Sequence, residues 1–381
     1  MREMLDACNR KGCVYYNYRT SGWEYDLDRI FREFTTETYH DTLNSDFVTR
    51  RLTELPAASR AILAWASLIG TSFSFELIQK LLSGEFDYDD EPSSISSSPT
   101  SDTPNTKFTQ QEIIAGLQAA IQAYIIITTE DDDRFRFAHD RYIQAASCLK
   151  ERKTQKMNFV IACTLQKYYF ADPLLRESTA SYICSSVEII RKRILHRQSF
   201  RKILYDSAQR AAENGARPTA VKYYDHCFSL LQPDPWDNEK PDAYYDETLS
   251  LFIRAAEIHH YMGHFEDASR LLDTLMENAK SAVDKAPAWV LQSRMFSQSG
   301  DSAAAFRTLS TCLSHLGVEV DQNPTWDKCD AEFDRISLKL KGTTRKDSNS
   351  HNSLANSTPD SSDLAAAGAV LVEIIADPGP W

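Results

Sequence analysis

The sequence predicts a mainly α-helical protein in which a winged-helix domain is followed by an α-helical tetratricopeptide-like repeat array. Three observations predict it. Apolar residues recur at helical spacing through most of the chain. A β-branched run and an alternating run flank an acidic turn within residues 124–138, as the two strands of a wing do. Downstream, a pattern of glycine, alanine five residues on, and apolar positions nine and twelve residues on recurs from Gly215, Gly263 and Gly300.

Residues 1–34 read as helix, hairpin, helix. Cys13-Val14-Tyr15-Tyr16-Asn17-Tyr18 and Trp23-Glu24-Tyr25 are aromatic-rich, as strands prefer. Arg19-Thr20-Ser21-Gly22 supplies the turn. Asp26 or Asp28 then caps a short helix carrying Leu27, Ile30, Phe31 and Phe34.

Residues 45–150 read as the winged-helix domain. Val48, Leu52 and Leu55 lie at helical spacing before Pro56. Ala58 to Ile69 is a helix with Ile62, Leu63, Trp65, Ala66 and Ile69 on its buried face, and Gly70 ends it. Phe75 to Leu82 and Gln110 to Ala123 give two further helices. Tyr124-Ile125-Ile126-Ile127-Thr128-Thr129 and Arg134-Phe135-Arg136-Phe137-Ala138 are the strands, turned by Glu130-Asp131-Asp132-Asp133. Strand is thus expected in two hairpins alone. The insertion at 85–107 is acidic and then rich in Ser, Pro and Thr, so it reads as a disordered loop.

Residues 151–340 read as the repeat array. Gly215, Gly263 and Gly300 permit the tight turns, and Ala220, Ala268 and Ala305 permit close helix approach. The apolar pairs are Tyr224 and Cys227, Leu272 and Leu275, and Leu309 and Cys312. The intervals are uneven, so the repeats are degenerate. Stacked helical hairpins of this kind present a concave surface to protein partners. Residues 341–363 read as a disordered linker, and 364–381 as the truncated start of a further helix, which makes the chain read as a fragment.

Composition narrows the function classes. With 42% apolar residues the chain can build real cores. A formal charge of −12 speaks against nonspecific nucleic-acid binding, which needs a basic face. Arg191-Lys192-Arg193 reads as one solvated helix turn. The eight cysteines show no CxxC spacing and read as small, buried, reduced side chains of a cytoplasmic protein. No secretory signal opens the chain. The apolar run Leu364 to Ala376 is too short to span a membrane and contains Glu373, so no membrane partner is expected.

Catalytic motifs are missing from the sequence. No GxxxxGK[ST], HExxH or GxSxG occurs, and only 12 glycines are present. No catalytic residue and no metal site is assigned. His259-His260 lacks a second ligand cluster and reads as helix surface. Asp131-Asp132-Asp133 reads as a solvated hairpin tip rather than a cation loop. Trp65, Trp236 and Trp289 read as packing residues. One short motif stands out: Arg136-Phe137-Ala138-His139-Asp140-Arg141 lies where the wing meets the next helix. Asp140 is placed to cap that helix, and the His139 imidazole projects at the junction, either packed there or available to a ligand.

These residues carry a resemblance. Arg51-Leu52-Thr53-Glu54-Leu55-Pro56, Ala61 to Ser67, and Phe137-Ala138-His139-Asp140-Arg141 look like the winged-helix region of STAND-type signalling ATPases. Ile62 to Gly84, Phe135 to Ala146, Gly215 to Tyr224, Asp234-Pro235-Trp236 and Tyr244 to Leu249 resemble the large fungal hybrid histidine kinases with an AAA-type ATPase module. That resemblance implies that residues 1–44 are the end of the ATPase lid. It implies an ATP-dependent parent kinase, with a serine/threonine kinase-like domain and the ATPase upstream and a histidine-kinase core downstream. The P-loop, the phosphoacceptor histidine and the receiver aspartate of that family are not in this sequence. The resemblance therefore implies a regulatory and scaffold segment in phosphorelay signalling, with ATP or ADP bound by the parent and none by this segment. In STAND ATPases a Met-His-Asp motif sends its histidine to the β-phosphate of ADP. Ala138 replaces the Met here, and His139-Asp140 match, which makes His139 the candidate cofactor-binding residue. Two other readings stand beside this one: a stand-alone tetratricopeptide-like adaptor, and a winged-helix transcription regulator. The second is disfavoured because Gln110 to Ala123 carries no Lys or Arg to meet phosphates.

Overall fold

The computed structural model describes residues 8–33, 45–86, 108–130, 133–149, 154–318, 321 and 325–343. Helices make up most of it, and the chain divides into two compact units, Met1–Arg193 and Ile194–Trp381.

The first unit opens on the hairpin that the aromatic run predicts. Strands β1 (Val14–Asn17) and β2 (Gly22–Tyr25) pair antiparallel, Val14 opposite Tyr25 and Asn17 opposite Gly22. The Asn17 amide and the Thr20 hydroxyl both donate to Glu24 Oε1, at 2.8 and 2.9 Å. Those two bonds hold the Glu24 carboxyl below its usual pKa. Asp26 caps helix α1 (Leu27–Glu33) by accepting the Arg29 N–H at 3.0 Å. Cys8 and Cys13 are buried against Val14 and Ile30.

Next come α2 (Ser45–Thr53), α3 (Ala57–Ile69), β3 (Ser72–Ser74), α4 (Phe75–Leu82), α5 (Gln110–Gln122), β4 (Ile126–Thr128), β5 (Arg134–Phe137) and α6 (Asp140–Ser147). Pro56 sits at the N-cap of α3, where its missing N–H leaves no helix bond unmade. Ile62, Leu63, Trp65 and Ala66 are buried as the spacing predicts, while Ile69 is half-buried. Helices α3 and α5 cross at Gly116. A methyl there would lie 2.9 Å from the Ser59 nitrogen, and the Ser59 hydroxyl donates to the Gly116 carbonyl at 2.7 Å.

The sheet departs from expectation. Its order is β3-β5-β4, all antiparallel, so the predicted wing gains a third strand. Three residues are too few to show a period of two, and Ser72-Phe73-Ser74 gave no strand signal. Tertiary contact makes the strand: Phe73 stacks on Phe135 at 6.1 Å and meets Phe137 edge-on at 5.9 Å. Ser74 then caps α4 by accepting the Leu77 N–H at 3.2 Å. A reciprocal capping box of Thr109 and Glu112 starts α5.

Helices α7 (Thr154–Tyr168) and α8 (Pro173–Arg193) complete this unit. The Tyr182 hydroxyl on α8 donates to the Leu68 carbonyl at 2.8 Å, tying α8 to the end of α3. The segment read as a disordered insertion starts later than expected. Glu85 is held by Lys167 and by the Tyr168 hydroxyl, the latter at 2.6 Å, and Phe86 is also placed. Residues 87–107 lie outside the described residues.

The second unit is built of helical hairpins: α9 (Gln198–Glu213) with α10 (Arg217–Ser229), α11 (Tyr245–Tyr261) with α12 (Phe265–Asn278), and α13 (Ala282–Gln298) with α14 (Ser302–His315). Each first helix ends the same way. Gly215, Gly263 and Gly300 adopt φ of +78°, +78° and +86°. In each case the next residue's N–H reaches back five residues: Ala216 to Ala211 at 2.7 Å, His264 to His259 at 2.9 Å, Asp301 to Phe296 at 2.9 Å. These are Schellman turns, which need a left-handed residue and so favour glycine. The alanines and the apolar pairs of the sequence pattern are all buried. Helix α15 (Trp326–Thr343) runs three residues into the segment read as linker. Residues 344–381, including the apolar segment after 363, lie outside the described residues.

Of the three tryptophans, Trp65 and Trp289 are buried, while Trp236 is half-buried against Phe252 at 5.0 Å. The cysteines correct the expectation in part. Cys148 and Cys329 are exposed and Cys184 is half-exposed, while the other five are buried, and none of the eight is in a disulfide. Burial pushes the Cys163 thiol up to about 12 and Cys312 up to about 11. Arg191, Lys192 and Arg193 are exposed at the end of α8. No helix among the described residues is long and apolar enough to cross a membrane.

Candidate functional site

In the first unit the sequence singles out the β5–α6 junction. Ala138 ends the strand pairing with an N–H···O bond to Ile125 at 2.9 Å, and α6 begins two residues later. His139 itself is the N-cap, in an extended conformation, and its Nδ1 accepts the Arg141 N–H at 3.1 Å. Asp140, predicted as the cap, instead occupies the first turn. The difference has a geometric cause: the last extended residue before the helix is the one whose side chain faces the open N–H groups.

This hydrogen bond fixes the chemistry of the ring. An Nδ1 that accepts must carry its lone pair, so the neutral imidazole bears its proton on Nε2. His139 is exposed, and its Nε2–H has no partner among the described residues. The junction therefore presents one oriented donor to solvent. One turn further on, Tyr142 is buried, and its hydroxyl accepts from Arg51 Nη1 at 3.2 Å. Arg51 Nη2 also donates to the Ala123 carbonyl at 2.8 Å, so α2, α5 and α6 are joined through one guanidinium. Arg51, Arg10 and Glu54 line an open cleft of about 360 Å³.

In the second unit, Arg201 of α9 is the centre of a buried ionic clasp. Its side chain is 1% exposed. Nη1 reaches Asp242 Oδ2 at 2.7 Å, Nε reaches Glu247 Oε1 at 2.7 Å, and Nη2 reaches Glu247 Oε2 at 3.1 Å. Burial alone lowers the guanidinium pKa, but its bonds to Glu247 and Asp242 outweigh that and raise it. Asp242 also accepts the N–H groups of Arg197 and Gln198 at the start of α9, at 2.9 and 3.1 Å. The clasp holds the α10–α11 connection, with Asp234-Pro235-Trp236, onto α9 and α11. Thr248 bonds the Pro235 carbonyl at 3.0 Å. Beside it runs an open groove of about 880 Å³ lined by Phe228, Trp236, Phe252, Lys240 and Lys280, among others. No signal in the sequence marked Arg201, because a buried arginine reads like any surface one until its carboxylates are placed.

The His259-His260 pair was expected on the helix surface. Both residues are buried, 8% and 5% exposed, and each has a buried Nδ1 with no hydrogen-bond partner. The structure brings His264 and Asp267 beside His259, across the Gly263 turn, a grouping the sequence reading did not make. Of the acidic tip at 131–133, Asp133 is exposed and its carbonyl accepts the Phe75 N–H at 3.0 Å. Asp131 and Asp132 lie outside the described residues.

The described residues are thus mainly helical, with a histidine capping the helix at the β5–α6 junction. The chain is distantly similar to the Peroxide stress-activated histidine kinase mak3 of Schizosaccharomyces pombe, with 24% identity over 346 residues. The match takes in 86% of this chain and 13% of that protein, so the chain spans about an eighth of the length of the curated relative it matches. No family model matches the chain. No solved structure matches it either.

Proposed function

We propose that the chain is a regulatory and scaffold segment of a cytoplasmic sensor histidine kinase, acting in phosphorelay signalling. In this reading it transmits the nucleotide state of an adjoining AAA/STAND-type ATPase module and binds partner proteins, and it carries no catalytic set of its own. The observation that carries the reading is the extent of the likeness. A match over 86% of the chain is longer than either compact unit, so it takes in parts of both as one segment of a histidine kinase.

The local structure supports the finer parts. Helix, short strand, two helices and a hairpin, with the short strand added to the hairpin's second strand, is the order of a winged helix. Its third helix, α5, carries Glu112 and no basic residue, which favours a protein-internal role over DNA reading. The helical hairpins of the second unit, with the groove beside Trp236, are the surface proposed for protein partners. The adjoining ATPase and kinase domains of the parent are proposed as further contacts.

His139 fits the nucleotide role as far as its own geometry goes. The Nδ1 bond to Arg141 turns Nε2–H outward, the form that donates to a phosphate oxygen. ATP or ADP would be held mainly by the parent, with His139 supplying one donor. A hydrogen bond to a charged partner is worth about 1.5–3 kcal/mol. In the full-length protein, His139→Ala is expected to weaken ADP binding by about 10- to 150-fold and to raise basal signalling. In this chain the same change removes a helix cap, a loss of about 0.5–2 kcal/mol. His139→Asn restores the cap without restoring the reach, so it should recover the melting temperature and not ADP affinity. Unchanged ADP affinity in both variants would sink the switch reading. The isolated chain is expected neither to hydrolyse ATP nor to autophosphorylate, and phosphate release above background would contradict that.

A further inference from the structure

His259, His264 and Asp267 stand around the turn that joins α11 to α12. His259 lies in the last turn of α11, His264 is the N-cap of α12, and Asp267 lies in its first turn. The Schellman turn at Gly263 sets this arrangement by folding residue 264 back over residue 259. The two imidazole centroids are 5.6 Å apart. One ligand atom from each of the three residues lies within 4.8 Å of the other two.

His259 gives an independent pointer to a ligand. It is 8% exposed, its Nδ1 is buried without a hydrogen-bond partner, and that atom lies 4.0 Å from Asp267 Oδ2. Buried ring nitrogens are nearly always satisfied. A gap of 4.0 Å is too long for a hydrogen bond. It is near the separation that a bridging ion needs. With bonds of about 2.0–2.2 Å, a tetrahedral ion holds its ligand atoms about 3.3–3.6 Å apart. The exposed His264 and half-exposed Asp267 side chains can close the remaining distance. Arg270 binds Asp267 through Oδ1, which leaves Oδ2 turned toward His259. The Arg270 charge opposes a cation, but that guanidinium is 78% exposed and so well screened.

We propose that His259, His264 and Asp267 form a binding site for a divalent transition-metal ion of the zinc type, with a fourth position open to water. Two imidazoles and one carboxylate suit zinc or cobalt, whereas magnesium and calcium take oxygen ligands. The ion would staple α11 to α12. His260 is not part of the set, since its ring meets Phe265 and Tyr261 instead.

Cobalt(II) is the probe, added to the full chain prepared without a histidine tag. The expected result is one equivalent bound, with visible d–d bands and no thiolate charge-transfer band, displaced by zinc. Both His264→Ala and Asp267→Asn are expected to weaken binding at least about tenfold, since even outer partners of a metal ligand are worth about 10- to 100-fold. Their metal-free circular dichroism and melting temperature should match the unaltered chain, because both side chains face solvent at least in part. Absence of cobalt binding, a thiolate charge-transfer band, or undiminished binding in either variant would overturn the proposal.

Discussion

Arg201 shows at the scale of one residue what burial does to charge. Its guanidinium meets Asp242, itself wholly buried, and Glu247 with good geometry, and the Asp242 and Leu230 carbonyls take further N–H groups. Removing one partner from such a set strands the others, at about 3–5 kcal/mol. Arg201→Ala is therefore expected to lower stability by that amount, and Arg201→Lys to rescue little, because an ammonium cannot span two carboxylates in the planar fork. Chemical denaturation measures both. A loss below about 1 kcal/mol would mean that water reaches the clasp. This residue and His139 mark the limits of reading side chains from sequence. The Ala138-His139-Asp140 motif was legible, but the cap falls on His139 rather than Asp140, because capping depends on which residue stays extended. Burial of His259 was not legible, since it depends on α10 and α12 packing around α11.

Elements were more legible where a local rule sets them. The repeated glycine, alanine and apolar spacing gave the turns and second helices of the second unit, because a Schellman turn and a close helix crossing each demand one residue type. At Gly263 the backbone is left-handed with open space around the missing Cβ, so Gly263→Ala is expected to cost about 1–2 kcal/mol from backbone conformation alone. Gly116 is the opposite case. Its backbone is ordinary helix, but an added methyl meets the Ser59 nitrogen and the Ala58 Cβ at 2.9 Å. Gly116→Ala gains helix propensity of about 1 kcal/mol and forces α3 from α5, an overpacking of about 1–3 kcal/mol. Net destabilisation is expected, with the Ser59 hydrogen bond lengthened. A more stable Gly116→Ala variant would show that α3 and α5 can separate freely. Strand β3 escaped the sequence because three residues carry no period, and only Phe73 meeting Phe135 and Phe137 makes them a strand.

For the molecule as a whole, buried histidines set an expected response to acid. His226, His259 and His260 of the second unit all have pKa values lowered, in each case chiefly by burial. Asp225 and Asp267 pull His259 upward, His264 and Arg270 push it down, and Arg294 lowers His260 further. The sign follows from linkage. The unfolded chain binds these protons near pH 6.5, and the folded chain resists them, so stability is full above that value. It falls as pH drops from about 6.5 through the lowered folded values, by at most about 1.4 kcal/mol per pH unit for each proton not taken up. Net charge acts the other way. At −12 the chain repels itself, and acid relieves that repulsion. Salt separates the two effects, because a Debye length near 3 Å at 1 M screens surface charges and leaves buried imidazoles almost untouched. In high salt with a chelator present, the melting temperature should decline from pH 7 to pH 5. His260→Phe, which keeps the contact with Phe265 and removes one titrating ring, should flatten that decline. A melting temperature constant over that range in high salt would mean that the buried rings are charged without cost, and the account of this core would be wrong.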